Sequence, residues 1–176
     1  AEYRYSLGFV FNQVSEGGVT SYLLGRTSEH GWWYYFPVAF LFKTSLGLHI
    51  LLALTIAYAA VRLRSRAAVT RLAHSSLRAP IVMLIVFGSV LLTSSLNIGF
   101  RYAMPLLPMV AVIAAVGATA VWRQNWRFAR AAVVAATAWL VIHPLSYYPN
   151  FLAYISEYGP GRDRNYEVLV DSSMDW

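Results

Sequence analysis

The sequence predicts an all-α, polytopic membrane helix bundle, and three observations carry that prediction. Of 176 residues, 58% are hydrophobic and only 12% are charged, against roughly 25% charged in an ordinary soluble domain. The apolar residues come in long windows: 44–61, 79–100, 102–122 and 131–156 contain no Asp, Glu, Lys or Arg, and each approaches the ~20 residues that carry a helix across a bilayer. The charges are also segregated by sign. Arg62, Arg64, Arg66, Arg71 and Arg78 separate the first two windows, and Arg123, Arg127 and Arg130 separate the last two. The acidic residues (Glu2, Glu16, Glu29, Glu157, Asp163, Glu167, Asp171 and Asp175) all lie elsewhere.

This composition excludes a soluble enzyme domain, a disordered chain and a disulfide scaffold. With no cysteine, the chain has no thiol chemistry, zinc-thiolate site or disulfide framework. Its formal charge of +6 is not that of a nucleic-acid binder, because the arginines sit in short connectors between apolar windows. Such connectors stay on the cytoplasmic side. The expected topology is therefore 62–79 and 123–130 inside, with 1–43, 97–104 and 147–176 outside.

Residues 1–31 are polar and punctuated by Gly8, Gly17, Gly18, Gly25 and Gly31, which predicts an extracytoplasmic loop with room for one short helix on the membrane. Residues 32–43 begin with five aromatics, Trp32-Trp33-Tyr34-Tyr35-Phe36. Rings with a polar tip prefer the headgroup level, and the apolar run that follows is too short to span, so an interfacial or re-entrant segment is expected.

Residues 44–146 form the expected four-span region, with spans near 44–61, 80–96, 104–122 and 131–145. Pro80 suits a first helical turn, and Pro144 marks an end or a kink. Thr93, Ser94, Ser95 and Asn97 make the end of the second span polar. Ala111, Ala114, Ala115, Gly117, Ala118 and Ala120 give the third span small faces for close packing. Residues 147–176 begin an outer C-terminal region. The chain opens at Ala1 without a basic leader and stops at Trp176, which reads as part of a longer polypeptide.

Lys43, the only lysine, follows the aromatic run at the expected outer interface. It suits either a snorkelling anchor or a point charge for a phosphate. Arg101 lies in an outer turn with no positive-inside reason to be there, and a guanidinium grips phosphate bidentately. His49 and His143 lack metal-ligand spacing. Tyr147, Tyr148, Tyr154 and Tyr158 are belt aromatics whose faces also stack on sugars. Asp171 and Asp175 would share a helix face. The residues themselves assemble no nucleophile–base pair, P-loop or metal cluster.

Several segments, in order, resemble bacterial members of glycosyltransferase family 39, the protein O-mannosyltransferase and lipid A aminoarabinose transferase relatives with the GT-C fold. They are Tyr22-Leu23-Leu24-Gly25, Gly31 to Phe40 with Phe42-Lys43-Thr44, Asn97 to Tyr102 with Pro105 and Pro108, Pro149 to Tyr154 with Glu157 and Gly159-Pro160, and Leu169 to Trp176. Ser45 stands where the family usually has proline, and Ser156 where asparagine is common.

The resemblance implies a bacterial, multi-pass inner-membrane transferase that moves a sugar from a polyprenyl-phosphate donor to a lipid or protein acceptor at the outer face. Its catalytic acid would lie upstream of Ala1. Within this chain, Lys43 and Arg101 are the candidate donor-phosphate ligands. Trp33, Tyr34, Tyr35, Asn97, Tyr102, Tyr154 and Glu157 are the candidate groove lining. No metal ligand and no resident cofactor is implied, and a divalent cation is left open. The expected partners are the lipid-linked sugar, membrane lipids and the acceptor. The competing expectation is a non-catalytic polytopic subunit or transporter piece.

Overall fold

The computed structural model of the protein describes residues 21–62, 64, 70, 72, 75–94, 97 and 99–169, without the side chains of 152, 162, 163 and 165. These residues are mostly helical. Helices α1 (Tyr35–Lys43), α2 (Leu46–Arg62), α3 (Arg78–Thr93), α4 (Leu107–Trp122) and α5 (Arg127–Leu145) follow in order. Between and after them come 3₁₀ segments at Phe100–Leu106, Phe151–Ala153 and Arg162–Glu167.

Two helical runs are long and apolar enough to cross a membrane alone, Phe100–Trp122 with 23 residues and Arg127–Leu145 with 19. The pair α1 and α2 meets the same test together but is bent by 115°. Helix α3, at 16 residues, is apolar and shorter.

Helix α2 is the hub, packed along both α4 and α5. Small residues let the backbones approach, as expected where dispersion rather than the hydrophobic effect holds helices together. A Cβ at Gly47 would run into the Ala136 carbonyl oxygen and lie 2.8 Å from the Leu140 nitrogen on α5. One at Gly117 would run into the Thr55 side chain on α2. The buried face of α4 is Val110, Ala114, Gly117, Ala118 and Val121; of the small residues picked out in the sequence, Ala114, Gly117 and Ala118 pack, Ala120 is half-buried, and Ala111 and Ala115 are exposed. Thr55 donates its hydroxyl to Leu51 O at 2.8 Å, which satisfies it within its own helix. Many large apolar side chains face outward, among them Val86, Val90, Val134 and Ile142.

Residues 21–31 contain a hairpin rather than a helix. Strands β1 (Ser21–Leu23) and β2 (Arg26–Ser28) pair antiparallel, with Leu23 opposite Arg26. The two-residue turn has positive φ at both Leu24 (50°) and Gly25 (79°), the hand that matches strand twist. Glycine makes the second position cheap. Leu24 N–H donates to Val168 O at 2.8 Å, and Leu23 bridges Leu169. The tail therefore returns to the hairpin. Leu23, Leu169, Tyr35, Phe36, Ala39, Leu91, Phe100 and Ala103 form one buried cluster at this end of the bundle.

Candidate functional site

The α1 end of the bundle holds both features capable of function, a polar clamp and an apolar groove. The clamp starts at the bend. Thr44 leaves α1 in an extended conformation, and its hydroxyl donates to Phe40 O at 2.6 Å. Ser45 accepts from Gly47 N–H at 3.2 Å, the side-chain cap that a helix start requires.

The remaining donor at the start of α2 is met from far along the chain. Leu46 N–H donates to Glu157 Oε2 at 3.0 Å. Glu157 Oε1 accepts from the Trp139 indole and lies 3.2 Å from His143 Nδ1, which is 3.1 Å from the Tyr154 hydroxyl. A carboxylate at a helix N-terminus is also favoured by the helix dipole.

Burial pushes the Glu157 carboxyl up, the largest single influence. Hydrogen bonds from the Glu157 and Leu46 backbones and from Trp139, with the charge of His143, outweigh it and hold the group below its ordinary value. The Tyr154 hydroxyl is pushed up to about 12, chiefly by burial and then by the charge of Glu157. At neutral pH the clamp is thus a carboxylate beside a neutral phenol. Ser156 completes it, with its N–H donating to Phe42 O at 2.7 Å and its hydroxyl to Leu41 O at 2.8 Å.

The groove lies between α2 and α3, over α4 and under α1. It encloses about 440 Å³ and is lined by Phe36, Pro37 and Phe40 of α1, Leu52 and Ile56 of α2, and Leu84, Gly88, Leu91 and Leu92 of α3; Ala103, Leu106, Val110 and Ile113 complete it. Every one of these residues is apolar.

The residues singled out in the sequence fall into three places. Lys43 is half-buried at the end of α1, one turn after Phe40. Arg101 is exposed beside Tyr102, its guanidinium 5.2 Å from the ring centre, two residues before Ala103 of the groove. Trp33 is exposed, and Tyr34 meets its ring edge-on at 5.6 Å.

The other candidates point inward. Tyr35 is wholly buried in the core. Asn97 is buried as a strut, donating from Nδ2 to Trp32 O at 3.0 Å. Tyr154 and Glu157 belong to the clamp. The seven candidate lining residues are therefore not one surface, and none of them lines the apolar groove.

His49, with Nε2 2.9 Å from Thr44 Oγ1, packs against Phe40 and Tyr158. Among the described residues no three His, Asp or Glu side chains gather as a metal site. Asp171 and Asp175 lie outside the described residues. Reasoning from sequence misses the groove and the clamp: nothing singles out Trp139, and Leu46 and Glu157 are far apart in the chain. Compared with known proteins, the chain matches no family model, no curated protein and no solved structure.

Proposed function

We propose that this chain is the later, four-span part of an integral-membrane glycosyltransferase that takes a sugar from a polyprenyl-phosphate donor. The observation that carries the reading is the groove. It is a wholly apolar slot of about 440 Å³ running between two helices, and two of the elements that line it each carry one cation. Helix α1 ends at Lys43, and the 3₁₀ segment begins Phe100-Arg101. An isoprenoid tail seeks a dry slot, and its phosphate seeks ammonium and guanidinium donors at the slot's mouth.

The resemblance to glycosyltransferase family 39 in the segments around Lys43 and Arg101 supports the same assignment. In the transfer, Lys43 and Arg101 hold the donor phosphate and stabilise the charge that grows on it as the glycosidic bond breaks. The general base comes from upstream.

The test uses the full-length protein. Gly88 lines the groove, and a Cβ added there would meet nothing within 4 Å, so Gly88→Leu fills the slot. Polyprenyl-phosphate binding, read by native mass spectrometry, should fall at least tenfold in Gly88→Leu. It should remain unchanged in Val90→Leu on the outward face of α3. Lys43→Ala and Arg101→Ala should lose product with normal membrane insertion. Unchanged binding in Gly88→Leu overturns the reading.

One observation favours a transporter piece instead: the α1–α2 bend of 115° resembles the broken helices whose half-helix N-termini hold substrates. In this chain that N-terminus is occupied by Glu157, so the glycosyltransferase reading stands first.

A further inference from the structure

The end of the bundle opposite the clamp carries a cationic patch with no acidic partner among the described residues. Arg62 ends α2 and Arg64 follows it, Arg78 begins α3, and Arg123, Arg127 and Arg130 surround the α4–α5 turn. All but the half-buried Arg130 are exposed. The chain has no acidic residue between Glu29 and Glu157, so none of α1 to α5 can supply a counter-charge. The described ion pairs, His143 with Glu157 and Arg164 with Glu167, lie at the clamp end.

Two of the arginines are fixed in place rather than solvated at random. Arg62 donates to Gln124 Oε1 at 3.1 Å and lies 5.6 Å from the Tyr58 ring centre. Arg130 donates from Nε to Trp122 O at 3.0 Å and lies 5.4 Å from the Trp122 ring centre. The first bond ties the end of α2 to the α4–α5 turn, which gathers Arg62, Arg123 and Arg127 at one corner. Cations in the first turn of α5 also oppose its dipole, which raises the local positive potential. Beside them Trp126 and Phe128 are 66% and 79% exposed. Guanidinium groups gathered next to exposed aromatic rings fit a ligand with an anionic head and an apolar body.

We infer that this corner is a binding site for anionic phospholipid, with Arg62, Arg123 and Arg127 on the headgroup phosphate and Trp126 and Phe128 against the acyl chains. The inference rests on the bundle spanning a membrane, but not on its being a glycosyltransferase.

The experiment reconstitutes the full-length protein in nanodiscs of phosphatidylcholine, with and without phosphatidylglycerol, and reads the thermal midpoint. Phosphatidylglycerol should raise the midpoint of the native protein by several degrees. The triple variant Arg62→Gln/Arg123→Gln/Arg127→Gln should lose that rise, while the corresponding lysine triple and Arg26→Gln at the other end should keep it. No rise in the native protein, or a rise that survives the glutamine triple, overturns the site. A rise produced by inorganic phosphate in plain phosphatidylcholine discs overturns the lipid assignment. Failure to enter either disc overturns the spanning premise instead.

Discussion

The close crossing of α2 and α5 makes a prediction whose sign, not only its size, depends on the packing. Gly→Ala inside a helix gains about 1 kcal/mol of helix propensity. At Gly88 a new Cβ meets nothing within 4 Å, so Gly88→Ala should stabilise by about 0.5–1 kcal/mol. At Gly47 the same methyl meets the Ala136 carbonyl oxygen and the Leu140 nitrogen of α5. Both are backbone atoms, so no rotamer change can make room and the helices must separate.

Overpacking of this kind costs about 1–3 kcal/mol, and the opened interface loses dispersion contacts beyond that. After the propensity gain, Gly47→Ala should be destabilising by about 1–2 kcal/mol. For a chain of this length that is a fall of about 2–8 °C in thermal midpoint. The assay is thermal unfolding of detergent-solubilised protein, with the two alanine variants measured side by side. If Gly47→Ala is as stable as the native protein, α2 and α5 do not cross at this point, and the geometry that places Glu157 on α2 loses its support.

Two further outcomes follow from the clamp end. Glu157 has a folded-state pKa below its ordinary value, so its contribution is complete at neutral pH and is lost as pH falls through that depressed value. The native midpoint should therefore drop below about pH 4, while Glu157→Gln should be less stable at pH 7 by about 1–2 kcal/mol and show a smaller acid drop; an acid drop of native size in the variant would refute the clamp. At Asn97, Nδ2 donates to Trp32 O while the buried Oδ1 has no hydrogen-bond partner among the described residues. Asn97→Ala removes a bond and an unpaired acceptor together and should cost under about 1 kcal/mol, whereas Asn97→Asp faces an acceptor with an acceptor and should cost more than about 2 kcal/mol; the reverse order in thermal midpoint would show that the strut is misassigned.

How much is legible follows from how local each signal is. The helices are legible because charge-free windows report directly on burial or lipid exposure: windows expected near 44–61 and 104–122 become α2 at Leu46–Arg62 and α4 at Leu107–Trp122. Boundaries shift where a polar residue tolerates a helix. Helix α5 starts at Arg127 rather than near 131, because arginine is a good helix former whose head reaches past the apolar layer.

Pro80 falls in the first turn of α3, where a missing N–H costs no bond, and Pro144 falls inside the last turn of α5, next to the helix end the sequence expects there. The polar end of the second span asks for a wet neighbour, yet Thr93 bonds back to Ser89 O and Val90 O, an option that composition does not reveal. The hairpin escapes a sequence reading because Leu24-Gly25 is not one of the strong turn pairs. Its strands are held partly by Val168 and Leu169, far along the chain. The clamp is illegible for the same reason: nothing near Glu157 in sequence says that it faces Leu46.

The clamp and the groove are mechanically one unit. Helix α1 has nine residues, a rod of about 14 Å, too short to hold its own place in a bundle. Its position is set at one end by Asn97 on Trp32 O and at the other by Ser156 on Phe42 O and Leu41 O. The bend that follows is fixed by Glu157 and Ser45 on the first N–H groups of α2. Phe36, Pro37 and Phe40, which line the groove, and Lys43 at the helix end are all carried on this strut. Residues 154–158 therefore help to set where this lining and the lysine sit. Glu157 itself bonds α2 and α5 rather than any groove residue, so its bearing on the groove is through the placement of the α1–α2 bend.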